Sequence, residues 1–462
     1  MRLRQLVPGL GGAAGRVEAR NQLYTRETEK QIGELNRLGW YHSIQLPDGR
    51  VIQGLQSLEQ LRTRLAQFPL PEDLRGKRVL DIGAWDGWFS FEMERRGAEV
   101  VALDSAEHTR FRVARELLGS KVEYRIADIC RISSRDIGRF DIVLFFGVLY
   151  HLKHPLLALE TVCDLTTDMA FVESFVTDDG KDLAAPPAME FYETTELRGQ
   201  FDNWVGPNSP CLLAFCRTAG FARVRLESVL DHRAHVSCFR HWETGSGTEA
   251  APYITCVENS VSRDHRFSSL ADDYVSLWFK TGQERLTCDE VFPEIGGYGS
   301  RPVIVHPTGG DGWHANCKLP TRLDPGWYET RLRVRNSASS NAVRIGVDVA
   351  GTQAGMPVPQ GSAELAIRLV TDGRSWERYR VNVGPDACVS LWVAGLPDLC
   401  DRAHVRVRLN GADLPAVFVS SHDREGLSQV NALLPAGMAP GHGSVVLIFG
   451  ASQSEAVELE LV

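Results

Sequence analysis

The stretch Val79-Leu-Asp-Ile-Gly-Ala-Trp-Asp-Gly-Trp-Phe-Ser90 decides the fold. An apolar run leads into Asp81, Gly83 and Gly87, and a helical pattern follows through Met93. The expectation is a buried strand, a glycine-permitted turn and a helix start, which together bring backbone close to a nucleotide-like ligand. The spacing Asp-x-Gly-x-x-x-Gly differs from the Gly-x-Gly-x-x-Gly of dinucleotide sites. Asp81 stands at the strand end, where it repels a pyrophosphate and attracts an amino-acid ammonium. That favours S-adenosylmethionine (SAM) over NAD.

Two more acids point the same way. Ala98-Glu-Val-Val-Ala-Leu-Asp104 reads as a second strand, and its closing carboxylate is placed to take both ribose hydroxyls. A third strand, Val122-Glu-Tyr-Arg-Ile-Ala-Asp128, puts Asp128 where it can meet the adenine amino group. One aspartate at a strand end is commonly a turn or cap residue. Three on successive strand–helix units argue for a shared ligand.

The chain has 462 residues, too many for one ordinary domain, and a net charge of −9. Its ten cysteines include no Cys-x-x-Cys pair, so neither a thiolate metal cage nor a disulfide framework is indicated. Met1 to Gly15 is too broken for a signal peptide, and no apolar run reaches membrane-spanning length. A cytoplasmic protein without a membrane partner is expected. Acidity overall does not exclude RNA, because local patches matter more than the sum. Arginines 2, 4, 16, 20, 26, 37, 50, 62, 64, 75 and 78 are read as a solvated helical surface.

Outward from the glycine turn, helices are expected over Glu27–Leu38 and Ser57–Gln67, with Trp40 to Gly49 as a loop between them. Further strands are expected at Phe140–Phe146, Met169–Ser174, Phe221–Val229 and His235–His241, the last two antiparallel. Helices start at Pro155 and Pro210. The fold class is α/β: a Rossmann-like, doubly wound sheet of seven strands, followed by two all-β sandwich modules. After Trp242 a Gly/Ser/Thr linker leads into short alternating strands that repeat. Ser276-Leu-Trp278 recurs as Ser390-Leu-Trp392, Asn316-Cys-Lys-Leu-Pro320 as Asn431-Ala-Leu-Leu-Pro435, and Pro325-Gly326 as Pro440-Gly441. Trp278 and Trp392 are read as core tryptophans.

Methyl transfer from a sulfonium needs alignment more than covalent help. Gly147-Val-Leu-Tyr-His151 emerges beside the methionine end of the expected cofactor. Tyr150 can flank the sulfonium or hold the acceptor. His151 is the general-base candidate for a hydroxyl acceptor, and a helix-approach residue bonded to backbone is the blander alternative. Trp40, Tyr41 and His42 suit a lid over cofactor or substrate. Glu190, Tyr192, Asn203 and Trp204 fall on the connection where such sheets read the acceptor. Asp231, His232 and His235 have no third ligand at metal-binding spacing, so no metal is expected.

Residues 20 to about 242 resemble the class I SAM-dependent methyltransferases, and more narrowly the group related to the tRNA wobble-uridine carboxymethyltransferase. The resemblance rests on Val79–Phe89, on Phe146-Gly-Val-Leu-Tyr-His-Leu-Lys-His-Pro155 and on Trp40-Tyr-His42. It implies that Tyr150 lines the cofactor pocket and that Asp104 and Asp128 hold the adenosine half. The lysine and arginine that hold the extra carboxylate of carboxy-SAM in that group have no match. No lysine stands near Arg37 to His42, and Asp202 occupies the arginine's place before Asn203. Ordinary SAM is therefore the expected cofactor. The C-terminal part resembles β-sandwich modules appended to bacterial proteins.

The resulting division is 1–70 as an N-terminal helical lid segment, 71–245 as the methyltransferase domain, and 255–350 and 360–462 as the two β modules. The expected activity is methylation of an oxygen or nitrogen on a small molecule or glycan. One alternative is a tRNA wobble-uridine methyltransferase; another is a non-catalytic protein binding through its β modules. Oligomeric state is left open.

Overall fold

The computed structural model describes residues 33–349 and 364–462, except 264, 272, 397–399, 401, 403, 404, 421, 422, 424, 450 and 451. Of the expected helix over 27–38, residues 27–32 lie outside the described residues, and 33–36 are helical. Arginines 2, 4, 16, 20 and 26 also lie outside them.

The expected loop at Trp40 to Gly49 is instead β-structure. Strand β1 (Trp40–His42) pairs in parallel with β4 (Gly54–Gln56), while β2 (Ile44–Gln45) pairs antiparallel with β3 (Val51–Ile52). Within β1, Trp40 and His42 are buried while Tyr41 is half-buried, which is a strand period of two. The turn signal Pro47-Asp48-Gly49 masked it: Gly49 takes φ 87° and closes the hairpin between β2 and β3. The helix Leu58–Leu65 follows, with Ser57 as N-cap in a capping box with Gln60.

The central sheet has seven strands: β5 (Arg78–Ile82), β6 (Glu99–Asp104), β7 (Glu123–Ile126), β8 (Phe140–Phe146), β9 (Thr166–Phe175), β12 (Arg223–Leu230) and β13 (Arg233–Phe239). A small pair, β10 (Met189–Phe191) and β11 (Val205–Pro207), stands apart from it. The order is β12-β13-β9-β8-β5-β6-β7. Strands β5 to β9 run parallel, with Leu80 opposite both Val101 and Val143. The inner strands, covered on both faces, read as nearly continuous apolar runs, whereas the edge strand β7 stays partly exposed. The chain moves outward from β5 through β6 to β7, then returns to β8 on the other side. That reversal opens a crevice at the carboxyl ends of β5 and β8, where ligands bind in such sheets. Between β12 and β13, Asp231 and His232 take φ 50° and 61°, the left-handed pair that closes a two-residue antiparallel hairpin.

The β modules follow the sequence repeat. Tyr274–Lys280 corresponds to Cys388–Ala394, Gly312–Lys318 to Leu427–Leu433, and Gly326–Val334 to Gly441–Phe449. In the first module a four-stranded and a five-stranded sheet enclose a core containing Leu277, Phe279 and Ile345. In the second, Ala412–Val419 pairs with both Val405–Leu409 and Leu427–Leu433, so the two sheets run into one continuous path. Trp278 and Trp392 are not core residues. Each is half-buried in a strand whose neighbours, Leu277 and Phe279 or Leu391 and Val393, are buried, so the indoles lie on the opposite face. Among the described residues no helix is long and apolar enough to cross a membrane.

Gly87 precedes the helix Trp88–Arg95 with φ 90°, and a Cβ built there would lie 2.6 Å from Phe91 and 2.7 Å from Phe111. Gly87→Ala is therefore expected to destabilise the fold by about 2 kcal/mol or more, read as a lower urea midpoint.

Candidate active site

A cavity of about 580 Å³ opens at the carboxyl ends of the parallel strands. Its wall begins at the turn after β5. Gly83 has φ 75°, and a Cβ on it would sit 2.3 Å from Val148 Cγ2, so only glycine lets the two turns meet. Asp81 is 2% exposed, and Ser90 Oγ donates to its Oδ2 at 2.6 Å. Burial foremost, helped by nearby Asp104, pushes its carboxyl up to about 6. Among the described residues no cation pairs with it. A buried carboxylate without a counter-charge is costly unless a ligand supplies one.

Asp104 accepts the N–H of Trp85 on Oδ2 at 3.0 Å and that of Ser105 on Oδ1 at 2.8 Å. Asp128 accepts from the Cys130 N–H at 2.9 Å, and its side chain stays 47% exposed. Both are on the cavity wall with Asp81 and Gly83. Trp85, at φ 52° and 42% exposed, lines the same end.

The opposite end is built around Glu173, whose side chain is 1% exposed. Arg64 Nη2 reaches it at 2.8 Å and Arg233 Nε at 2.5 Å. Burial pushes this carboxyl up, but the two guanidiniums outweigh burial and hold it below the usual range. Arg233 also donates to the Tyr150 hydroxyl at 3.0 and 3.1 Å. Burial raises Tyr150 to about 12 despite that cation, so the phenol stays neutral. Gly147, at φ 72°, brings the chain past Tyr150 and Arg233.

His151 Nδ1 lies 2.9 Å from the Asp202 carbonyl oxygen. A carbonyl only accepts, so Nδ1 carries a proton, and in the neutral ring the lone pair sits on Nε2. The Asp202 carboxylate stands 3.5 Å from Nδ1. Asn203 is buried on the wall, and its Nδ2 donates to the Leu197 carbonyl at 3.0 Å and to Gln200 Oε1 at 3.1 Å.

Tyr41 and His42 face the cavity because Asp86 ties down their backbone. Its Oδ2 accepts both N–H groups, at 2.6 and 3.1 Å, while Arg110 Nε reaches Oδ1 at 2.8 Å. Burial, then the Arg64 charge, pushes His42 down to about 3, so it is neutral.

Five of the site residues expected from the sequence are not on the wall. Trp40 is 2% exposed in the hydrophobic core, its indole N–H donating to the Leu35 carbonyl at 2.8 Å. Trp204 points away and packs under Lys153 Nζ at 4.2 Å. Gly87 serves the turn and the packing against Phe111. Tyr192 and Glu190, hydrogen-bonded to each other at 2.9 Å, also lie off the wall. Conversely, Arg64 and Arg233 were not anticipated as wall residues, nor Glu173 as the buried acid behind them that pairs with both. Arg64 is no solvated surface arginine, since its side chain is 16% exposed. An acid inside the apolar run Ala170-Phe-Val-Glu173 was the signal available in sequence, because a buried carboxylate requires cations from elsewhere.

Residues 53–207 match the family model described as Methyltransferase domain. The tRNA U34 carboxymethyltransferase of Mannheimia succiniciproducens is 27% identical over 164 residues, 34% of this chain and 48% of that protein. The ubiquinone biosynthesis O-methyltransferase of Bordetella avium is 35% identical over 104 residues, covering 22% and 42%. Among solved structures, the N-terminal domain of EvdMO1 with SAH bound is similar at 23% identity. That likeness covers 46% of this chain and 96% of the other with a TM-score of 0.35. The matched segment, a third of the chain, carries the pattern of a methyltransferase domain. The chain spans about half the length of the curated relatives it matches.

Glu173→Gln leaves two guanidiniums beside a neutral amide. It is expected to cost on the order of 3 kcal/mol in unfolding experiments, whereas the exposed Asp179→Asn changes little.

Proposed function

We propose that this protein transfers a methyl group from SAM to an oxygen or nitrogen of a small molecule or glycan. The observation that carries the reading is the buried carboxylate of Asp81, which no cation among the described residues pairs with, sharing one cavity with Asp104, Asp128, Tyr150 and His151. A zwitterionic amino acid joined to an adenosine supplies the missing positive charge at one end and hydroxyl and amino donors at the other.

In this assignment Asp81 takes the ammonium, and Gly83 permits close backbone approach. Asp104 takes the ribose hydroxyls, Asp128 the adenine amino group, and Gly147 admits the chain beside the reacting centre. When bound, SAM supplies an electrophilic methyl on a sulfonium. Tyr150, neutral and fixed by Arg233, flanks that centre without becoming a competing phenolate nucleophile. Nε2 of His151 takes the proton of an acceptor hydroxyl, and the Asp202 carbonyl keeps the ring in the right tautomer. Tyr41 and His42 exclude water from above. Asn203 shapes the acceptor end by holding the turn at Leu197 to Gln200. The four-part division of the chain, a cytoplasmic setting, and a recruiting or assembly role for the β modules belong to the same proposal.

Calorimetry should detect SAM binding, and a protein that fails to bind SAM at millimolar concentration would end the proposal. His151→Ala should lower turnover by about a hundredfold or more while SAM affinity persists; unchanged turnover removes His151 as base. The pH dependence has a defined sign. Asp81 titrates near 6 when no ammonium faces it, and a bound ammonium favours the ionised form. SAM affinity should therefore be highest above that pH and weaken as pH falls through about 6. Asp81→Asn should bind SAM about tenfold more weakly or worse at pH 8 and lose this dependence.

A further inference from the structure

Three guanidiniums face the cavity, from Arg64, Arg198 and Arg233. Two are committed, because Arg64 and Arg233 both pair with Glu173. Arg198 has neither an ion pair nor a hydrogen bond through its side chain among the described residues. Its guanidinium carbon lies 5.9 Å from the Phe175 ring centroid, and Phe175 in turn stands edge-on to Tyr150 at 6.5 Å. The other carboxylate at this end, Asp202, faces His151 instead.

The backbone at Arg198 is also unusual. It takes φ 54°, a left-handed conformation that costs a branched or long side chain free energy and persists only where neighbours enforce it. The enforcing contacts are visible. The carbonyl of Leu197 receives the Asn203 side-chain amide at 3.0 Å and the Gln200 N–H at 3.1 Å, and Gly199 N–H bonds to the Thr195 carbonyl at 3.0 Å. A buried amide thus holds a strained turn whose exposed side chain is a cation on the cavity wall.

We infer that the methyl acceptor is a small molecule bearing an oxyanion group, a carboxylate or a phosphate ester, which Arg198 binds while His151 faces the nucleophilic hydroxyl. This inference rests on the methyltransferase reading and deepens it by naming the substrate class. At this end three guanidiniums stand against two carboxylates, Glu173 and Asp202, so an anion meets an excess of positive charge there. The strand-tip acids Asp81, Asp104 and Asp128 lie at the other end and repel it. An acceptor of this kind is therefore oriented as well as held: its charged group goes to Arg198 and its hydroxyl towards the methyl donor.

The test is calorimetric titration of the SAH-loaded protein with matched pairs. These are 4-hydroxybenzoate against 4-hydroxybenzamide, glucuronate against glucose, and glucose 6-phosphate against glucose. At least one anion should bind about tenfold more tightly than its neutral partner, and the pairs separate carboxylate from phosphate recognition. Arg198→Met should erase the preference, Arg198→Lys should restore part of it, and SAH affinity should shift by less than about twofold. Equal binding within every pair overturns the inference, as does a preference that survives Arg198→Met. So does a large loss of SAH affinity in Arg198→Met, which would reassign the residue to the cofactor carboxylate. Failure of the unmodified protein to bind SAH at all is a different result, and it removes the methyltransferase reading itself.

Discussion

The carboxylate of Glu173, wedged between Arg64 and Arg233, is the interaction on which the cavity depends. It joins three parts of the chain far apart in sequence: the helix after the small β1–β4 structure, the end of β9, and the start of β13. Burying one carboxylate and two guanidiniums is expensive, and the contacts recover the cost only while all three remain in place. Arg233 then has donors left for the Tyr150 hydroxyl, so the same network fixes the aromatic ring beside Gly147. Losing one partner would strand the others in an environment with little water.

A second buried acid does similar work at the opposite wall. Asp86 sits in the glycine turn, yet its carboxylate reaches across to the backbone of Tyr41 and His42 and to Arg110. The segment above the cavity is therefore anchored to the loop that forms the cavity floor. Between these anchors the electrostatics are polarised: strand-tip carboxylates gather at one end and arginines at the other. A long, zwitterionic ligand and a smaller partner can occupy such a space without competing for the same contacts.

The β half shows how a repeat tolerates variation. Both modules bury the same alternating positions, but one has a break at Ser300 and Arg301 where the other continues as a single strand through Ala412–Val419. The core is preserved because the period of two is preserved. The paired tryptophans illustrate the opposite lesson. A tryptophan in an apolar strand suggests a core side chain, but alternation with Leu277 and Phe279, or with Leu391 and Val393, sends it to the other face.

Local chemistry in the chain already determined the central architecture. Apolar runs closed by Asp81, Asp104 and Asp128, with Gly83 after the first, specify parallel strands whose tips meet a ligand, because period and turn chemistry are short-range properties. The repeat was legible for the same reason. Which side chains share the cavity was decided only by tertiary structure. Trp40 and Trp204 stand next to wall residues in sequence but point elsewhere, while Arg64, Glu173 and Arg233 come together across more than a hundred positions. Ion pairing is a long-range condition: a buried charge announces that it needs a partner, and only the folded chain shows which one arrives.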